Sequence, residues 1–264
     1  MLIAIDVGNT QIGVGVFSDE GGVGRGDLLH RWRVATHPWY TADEFALQLS
    51  QLLGLEGLGF ADVTGACVAC VVPPLQVALR EMAERRLRAP TLFLTPELTT
   101  GMPVLVDNPR EVGADRIADA VAAFERYGGP TIVVDFGTAT NFEVVSQNGE
   151  YVGGVLFPGL EVSLNALSER AAMLPRVDIS RPRSILAKNT VEQLQAGIFF
   201  GFGALVEGVC ARLKSEVGGQ ATVVATGGLA PIVLGASPVI DHYEPWLTLY
   251  GLRTIYLRNA GDAS

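Results

Sequence analysis

Two short stretches place a carboxylate at the same point of the same pattern. Leu2–Gln11 reads LIAIDVGNTQ, and Thr131–Asn141 reads TIVVDFGTATN. In each, an apolar run leads to Asp, one apolar residue, Gly and a hydroxyl-rich turn: Asp6-Val7-Gly8-Asn9-Thr10 and Asp135-Phe136-Gly137-Thr138-Ala139. A short run rich in Ile and Val with no helical period reads as a buried strand. Gly directly after it permits a tight reversal in which backbone N–H groups approach an anion closely. At the first tip that chemistry is phosphate binding. Gly8 leaves room, backbone donors and Thr10 face the phosphates, and Asp6 orients a hydrated Mg²⁺, because divalent cations on nucleotides keep several waters and take few carboxylates. At the second tip Asp135 suits a monovalent or divalent cation and Thr138 a phosphate. The plainer alternative at either tip is a β-turn with a capping Asp.

A third carboxylate opens a helix. Gly113-Ala114-Asp115-Arg116 stands where an amphipathic stretch, Asp115–Tyr127, begins. Asp115 there is either an N-cap for the first turn or a base that accepts a proton from a substrate hydroxyl. Arg116 beside it can bind a carboxylate or phosphate through a bidentate fork. Phosphoryl transfer needs both jobs, orienting the attacking oxygen and neutralising spreading charge. Thr226-Gly227-Gly228, after a Val-rich strand, would let the backbone pass close to an adenine or ribose face. Asn189-Thr190 with Glu192 and Gln193 is spaced as a capping box, and Thr190 is also placed to meet a ligand. Cys67-Val68-Ala69-Cys70 is a lone CxxC whose thiols would point to opposite faces of a strand, without the further ligands a zinc site needs. His30, His37 and His242 show no ligand spacing, and Trp32, Trp39 and Trp246 form no stripe.

The elements that must hold these residues repeat. The first half reads βββαβαβ: strands at 1–7, 11–17 and 28–34, a helix at 41–53, a strand at 66–72, a helix at 75–87 and a strand at 91–94. Gly21–Asp27 (GGVGRGD) reads as a turn. The second half opens with the helix Asp115–Tyr127 and repeats three strands, at 131–135, 141–145 and 149–156. A helix near 160–172 follows, then a loop containing Pro175, Pro182 and Lys188, and a long helix from 189 to about 217. Ala221–Ala225 is a strand, and Leu247–Ile255 is expected as helix plus terminal strand. Gly197, Gly201, Gly203 and Gly208 inside the long helix weaken it unless they permit close packing. These features predict an α/β protein with two similar halves, mixed sheets flanked by helices, at 1–112 and 113–264, facing one cleft. Their resemblance to the ribonuclease-H-like lobes of the acetate and sugar kinase, Hsp70 and actin superfamily implies a nucleotide held in that cleft.

Bulk properties narrow the class. With 264 residues and 48% apolar content the chain can bury substantial cores. A net charge of -9 and a pI near 4.9 argue against a nucleic-acid surface, though a few local cations can reverse the field for a small anion. The N-terminal stretch does not read as a signal peptide, since Asp6 interrupts the apolar run. No run of about 18 apolar residues suggests a membrane span. Three Cys give no disulfide framework. A cytoplasmic enzyme or regulator is expected.

The duplicated pattern resembles the acetate and sugar kinase, Hsp70 and actin superfamily. The motifs in order are closer still: DVGNT (6–10), NPREVGADR (108–116), VVDFGTAT (133–140), GGVLFPGL (153–160), SERAAMLPRV (168–177), KNT (188–190) and ATGGLA (225–230). That series resembles the type III pantothenate kinases. The resemblance implies ATP-dependent phosphorylation of pantothenate at its primary hydroxyl to 4'-phosphopantothenate, the first step toward coenzyme A. It implies Mg²⁺, dependence on K⁺ or NH₄⁺, and a homodimer. By position, Asp115 resembles the general base and Gly113, Ala114, Asp115 and Arg116 the pantothenate site. Asp135 resembles the monovalent-cation ligand. Asp6, Val7, Gly8, Asn9, Thr10 and Gln11, with Thr138, resemble the ATP site, and Thr190 a substrate contact. The family's Tyr before the Asn-Pro turn is Val106 here, which removes a ring and a hydroxyl from the pantothenate pocket. The alternatives are a regulatory or binding protein that keeps the fold without the activity, and a kinase of a related hydroxy acid or sugar.

Overall fold

The computed structural model describes residues 1–19, 27–95 and 98–260, so most of the turn expected at Gly21–Asp27 lies outside the described residues. Two compact units emerge, each built on a five-stranded mixed sheet.

The first unit contains β1 (Leu2–Val7), β2 (Gln11–Phe17), β3 (Leu28–Ala35), α1 (Ala42–Leu55), β4 (Gly65–Cys70), α2 (Pro73–Arg86) and β5 (Thr91–Phe93). Its strand order is β3-β2-β1-β4-β5, antiparallel among the first three and parallel from β1 to β5. Alternation along β1 sorts its side chains. Ile3, Ile5 and Val7 join Phe45, Leu49, Leu75 and Leu79 in a buried core under α1 and α2. Ala4 and Asp6 point the other way.

That second face is covered by helices from outside the expected first half. The unit also takes in 107–126 and everything from 247 onward. It therefore holds most of α3 (Ala114–Tyr127) and α7 (Leu247–Ala260). A Cβ on Gly15 would reach Leu249 of α7 at 2.9 Å, and one on Gly251 would land on the Ala118 carbonyl of α3. Glycine thus lets α7 lie close to both the sheet and α3. The division differs from a cut at 112/113, and the terminal strand expected within Leu247–Ile255 is helix throughout.

The second unit contains β6 (Thr131–Phe136), β7 (Ala139–Val145), β8 (Tyr151–Pro158), α4 (Leu160–Arg170), α5 (Thr190–Glu216), β9 (Thr222–Thr226), α6 (Ala230–Leu234) and β10 (His242–Tyr243). Its order, β8-β7-β6-β9-β10, repeats the first sheet strand for strand. Ile132, Val134, Phe136, Phe142 and Val144 pack beneath Leu160, Phe202, Val206 and Cys210.

By length and composition alone helix α5 is long and apolar enough to cross a membrane. Its buried residues Phe202, Val206 and Cys210 join the unit's core. A Cβ on Gly203 would meet the Ala236 carbonyl at 2.6 Å, which accounts for one of the helix's glycines; Gly197 and Gly201 face open space.

The cysteines behave as small apolar residues. Cys67 faces the α7 side, close enough to Tyr256 to help raise its phenol pKa, while Cys70 packs toward α1 and α2. Burial pushes the Cys67 and Cys210 thiols up to about 12 and also raises Cys70.

Candidate active site

In the first unit, β1 delivers Asp6 to the end of the strand, opposite Gly13 on β2 and Ala69 on β4. The reversal Gly8-Asn9-Thr10 follows, closed by the Gly8 N–H donating to the Gln11 carbonyl at 3.1 Å. Thr36, just past β3, fastens it twice. Its hydroxyl donates to the Gly8 carbonyl at 2.7 Å and its N–H to the Thr10 carbonyl at 3.0 Å. Asn9, Thr10 and Gln11 are exposed. The loop is held from behind and open in front, which suits a phosphate cradle. Thr36 was not legible as part of it, because its partners Gly8 and Thr10 lie 28 and 26 residues away.

The other candidate in this unit is the start of α3. Gly113 precedes the helix, and its carbonyl accepts the Ile117 N–H at 3.2 Å. Asp115 is therefore the second helical residue, not the cap. Its Oδ1 accepts the Arg116 N–H at 2.9 Å. A Cβ on Gly113 would fall on that same oxygen, so the glycine is required for the carboxylate's rotamer. Burial raises the Asp115 pKa, and the Arg116 N–H and guanidinium only partly offset it. A half-buried carboxylate with raised basicity at a helix start is the profile of a proton acceptor. Just before it, Asn108 caps a 3₁₀ turn, accepting the Arg110 N–H at 3.3 Å and donating to Glu111 at 2.7 Å.

In the second unit Asp135 ends β6 as Asp6 ends β1. It stands opposite Asn141 on β7 and Thr226 on β9. The tip closes with the Gly137 N–H donating to the Ala139 carbonyl at 3.0 Å. Two glycines make room for the carboxylate. A Cβ on Gly137 would come within 3.5 Å of it, and Gly227, at φ +91°, would place a Cβ on Asp135 Oδ1 and the Phe136 backbone. The Thr226-Gly227-Gly228 turn thus has an internal reason for glycine, where the sequence suggested an adenine or ribose face. Gly159, before α4, was also missed. Its N–H donates to the Thr138 carbonyl at 3.1 Å, and a Cβ there would strike the Gly137 and Thr138 carbonyls. Helix α4 therefore starts against the tip that carries Thr138.

Thr190 is the exposed first residue of α5, whose cap is Asn189, accepting the Glu192 N–H at 2.9 Å. Val106 is half-buried and belongs to the second unit. It follows Val104, which bridges to Tyr151, and Leu105, whose N–H donates to the Tyr151 carbonyl at 2.8 Å. Among the described residues no three His, Cys, Asp or Glu form a metal-holding group.

Two sheets of identical strand order, each ending its central strand in Asp and a glycine-containing reversal, define the duplicated actin-like α/β class. Solved structures agree on the fold. A conserved putative Baf family transcriptional activator from Campylobacter jejuni superposes with a TM-score of 0.62 at 18% identity, covering 98% of this chain and 99% of that one. The ethanolamine utilization protein EutJ from Carboxydothermus hydrogenoformans gives 0.54 at 16% identity, with 96% and 89% covered. Sequence comparison is more specific. The model of the type III pantothenate kinase family matches residues 2–212. The type III pantothenate kinase of Streptomyces griseus is 49% identical over 271 residues, covering 100% of both chains. That of Moorella thermoacetica is 49% identical over 259 residues, covering 98% of this chain and 100% of its own. The chain belongs to the type III pantothenate kinase family.

Proposed function

We propose that this protein transfers the γ-phosphoryl group of ATP to the primary hydroxyl of pantothenate, with Asp115 as general base. The observation that carries this reading is the Asp115 carboxylate: fixed by its neighbour's N–H, made more basic by burial, and followed directly by Arg116. Asp115 takes the hydroxyl proton as the oxygen attacks phosphorus in line with the departing ADP. The P–O bond to ADP breaks as the new P–O bond forms, so no covalent enzyme intermediate is required. Gly113–Arg116 holds pantothenate, with Arg116 near its carboxylate; for Thr190 and Val106 a substrate contact is proposed from the family resemblance alone.

The Asp6–Gln11 loop and Thr138 bind ATP through backbone donors and hydroxyls. Asp6, whose cross-strand neighbours Gly13 and Ala69 are small, orients a hydrated Mg²⁺ on the phosphates. Asp135, in a pocket that two glycine Cβ atoms would fill, suits K⁺ or NH₄⁺. These cations, when bound, offset charge on the phosphates. A homodimer in the cytoplasm completes the reading, and the exposed apolar side chains of the second unit support the dimer.

ADP release from purified protein with ATP, Mg²⁺ and pantothenate, with and without K⁺, tests the proposal, with the phosphorylated product identified by mass. Turnover with pantothenate that falls on omitting K⁺ is expected. Asp115→Asn should lose about 10²–10⁴-fold in kcat. No turnover under either salt would favour a regulatory protein, and turnover only with another acceptor a different kinase. Wild-type turnover in Asp115→Asn would remove the base assignment.

A further inference from the structure

The two tips are equivalent by strand order but not by what surrounds their carboxylates. The cross-strand partners of Asp6 are Gly13 and Ala69, neither of which carries a polar side-chain atom. The partners of Asp135 are Asn141 and Thr226, both of which do. Residues directly opposite on neighbouring strands share a face, with Cβ atoms roughly 5 Å apart. Asn141, Asp135 and Thr226 therefore form a row of oxygen-bearing side chains across β7, β6 and β9. Asn141 is 9% exposed and Thr226 3% exposed.

The amide of Asn141 adds an independent observation. Its Oδ1 is buried and has no hydrogen-bond partner. An unpaired buried amide oxygen is destabilising, and a cation bound beside it would supply the missing partner. Asp135 itself lies where Gly137 and Gly227 withhold side chains.

From this we infer that Asn141 is a direct ligand of the monovalent cation held at Asp135, with its Oδ1 on the ion. The inference rests on the proposed role of Asp135. One carboxylate with neutral oxygens matches a singly charged hard cation, because oxygen ligands suit hard ions and the charge is balanced at one. The same comparison separates the two tips. The cross-strand residues beside Asp6 bring no side-chain oxygen, whereas those beside Asp135 bring two that could stand in for a cation's water.

The test reads cation binding by thermal unfolding of the full chain, titrating KCl against choline chloride at constant ionic strength, with MgCl₂ as a second series. A ligand that binds only the native state raises Tm according to its Kd. Wild type should be stabilised by K⁺ over choline. Asn141→Leu, of similar volume without the oxygen, should raise the apparent K⁺ Kd at least tenfold, and Asp135→Asn should abolish the response. Asn141→Asp, which restores an oxygen and adds charge, should tighten K⁺ and introduce a Mg²⁺ response. A K⁺ curve for Asn141→Leu that overlays wild type overturns the inference while leaving Asp135 in place. If Asn141→Leu does not fold, unchanged K⁺ and Mg²⁺ curves for Asn141→Asp overturn it equally. If Asp135→Asn retains the wild-type K⁺ response, the reading of Asp135 falls and the inference falls with it.

Discussion

At the scale of single residues, Asp115 carries opposed demands. The Arg116 N–H and charge favour its ionised form, and burial, the larger influence, disfavours it. The net upward shift has two consequences of defined sign. A base works ionised, so kcat/KM should fall as pH drops through a value above the usual ~3.9 of an aspartate. Stability runs the other way. A carboxyl whose native pKa is raised favours the folded state below its ordinary pKa and loses that contribution as pH rises through the raised value. At neutral pH the ionised Asp115 is thus a cost that Asn does not carry, although Asn still offers an oxygen to the Arg116 N–H. Melting Asp115→Asn and wild type across about pH 4 to 8 should show the variant more stable at neutral pH, with the gap closing toward acid. A wild type that melts higher at neutral pH would contradict the burial argument. The identity of this residue was legible from Gly113-Ala114-Asp115-Arg116. Its position as second helical residue and the reason for Gly113 were not, because both depend on where the carboxylate turns.

Among elements, those set by short-range pattern were the readable ones. Every strand of both meanders, and α1 to α5, follow from apolar runs, periodicity and Pro or Asx punctuation within a few residues of the expected bounds. The ends of the chain's logic were harder. Leu247–Ala260 has no sequence feature that separates helix from strand in its last turns; what makes it helix is packing, with Leu249 beneath Gly15 and Gly251 on Ala118. The short α6 and β10 carry too few residues to register a period. The turn after β9 is a case where a motif was visible and its cause was not. Gly227 has φ +91° and its missing Cβ is the space taken by Asp135 and the Phe136 backbone. Gly227→Ala must distort that turn, and should lower stability by about 1–3 kcal/mol. Denaturant unfolding measures it. A loss under about 0.5 kcal/mol, the range of an ordinary surface change, would mean the turn yields without cost.

For the whole molecule, the duplication was legible because Asp-apolar-Gly recurs after an apolar run in each half, but the allotment of helices was not. Most of α3 and all of α7 pack with the first unit although both follow its last strand in sequence. The second unit, left with β8, α4 and the loop to α5 at its surface, shows Leu156, Val162, Leu167, Met173, Ile185 and Leu186 to solvent. Met173 is 95% exposed and Leu186 79%. Scattered apolar residues need no explanation; a series on consecutive elements of one unit is where the proposed homodimer would find apolar surface to cover. A second copy is the occupant consistent with the proposed homodimer. Light scattering on a sizing column should give about twice 28.0 kDa. Replacing Ile185 and Leu186 together by Asp should halve that mass without unfolding the protein, since both side chains contribute little to the core. A wild type that elutes at 28.0 kDa at every concentration would end the homodimer reading. A double variant that stays dimeric would move the interface to another surface of the molecule.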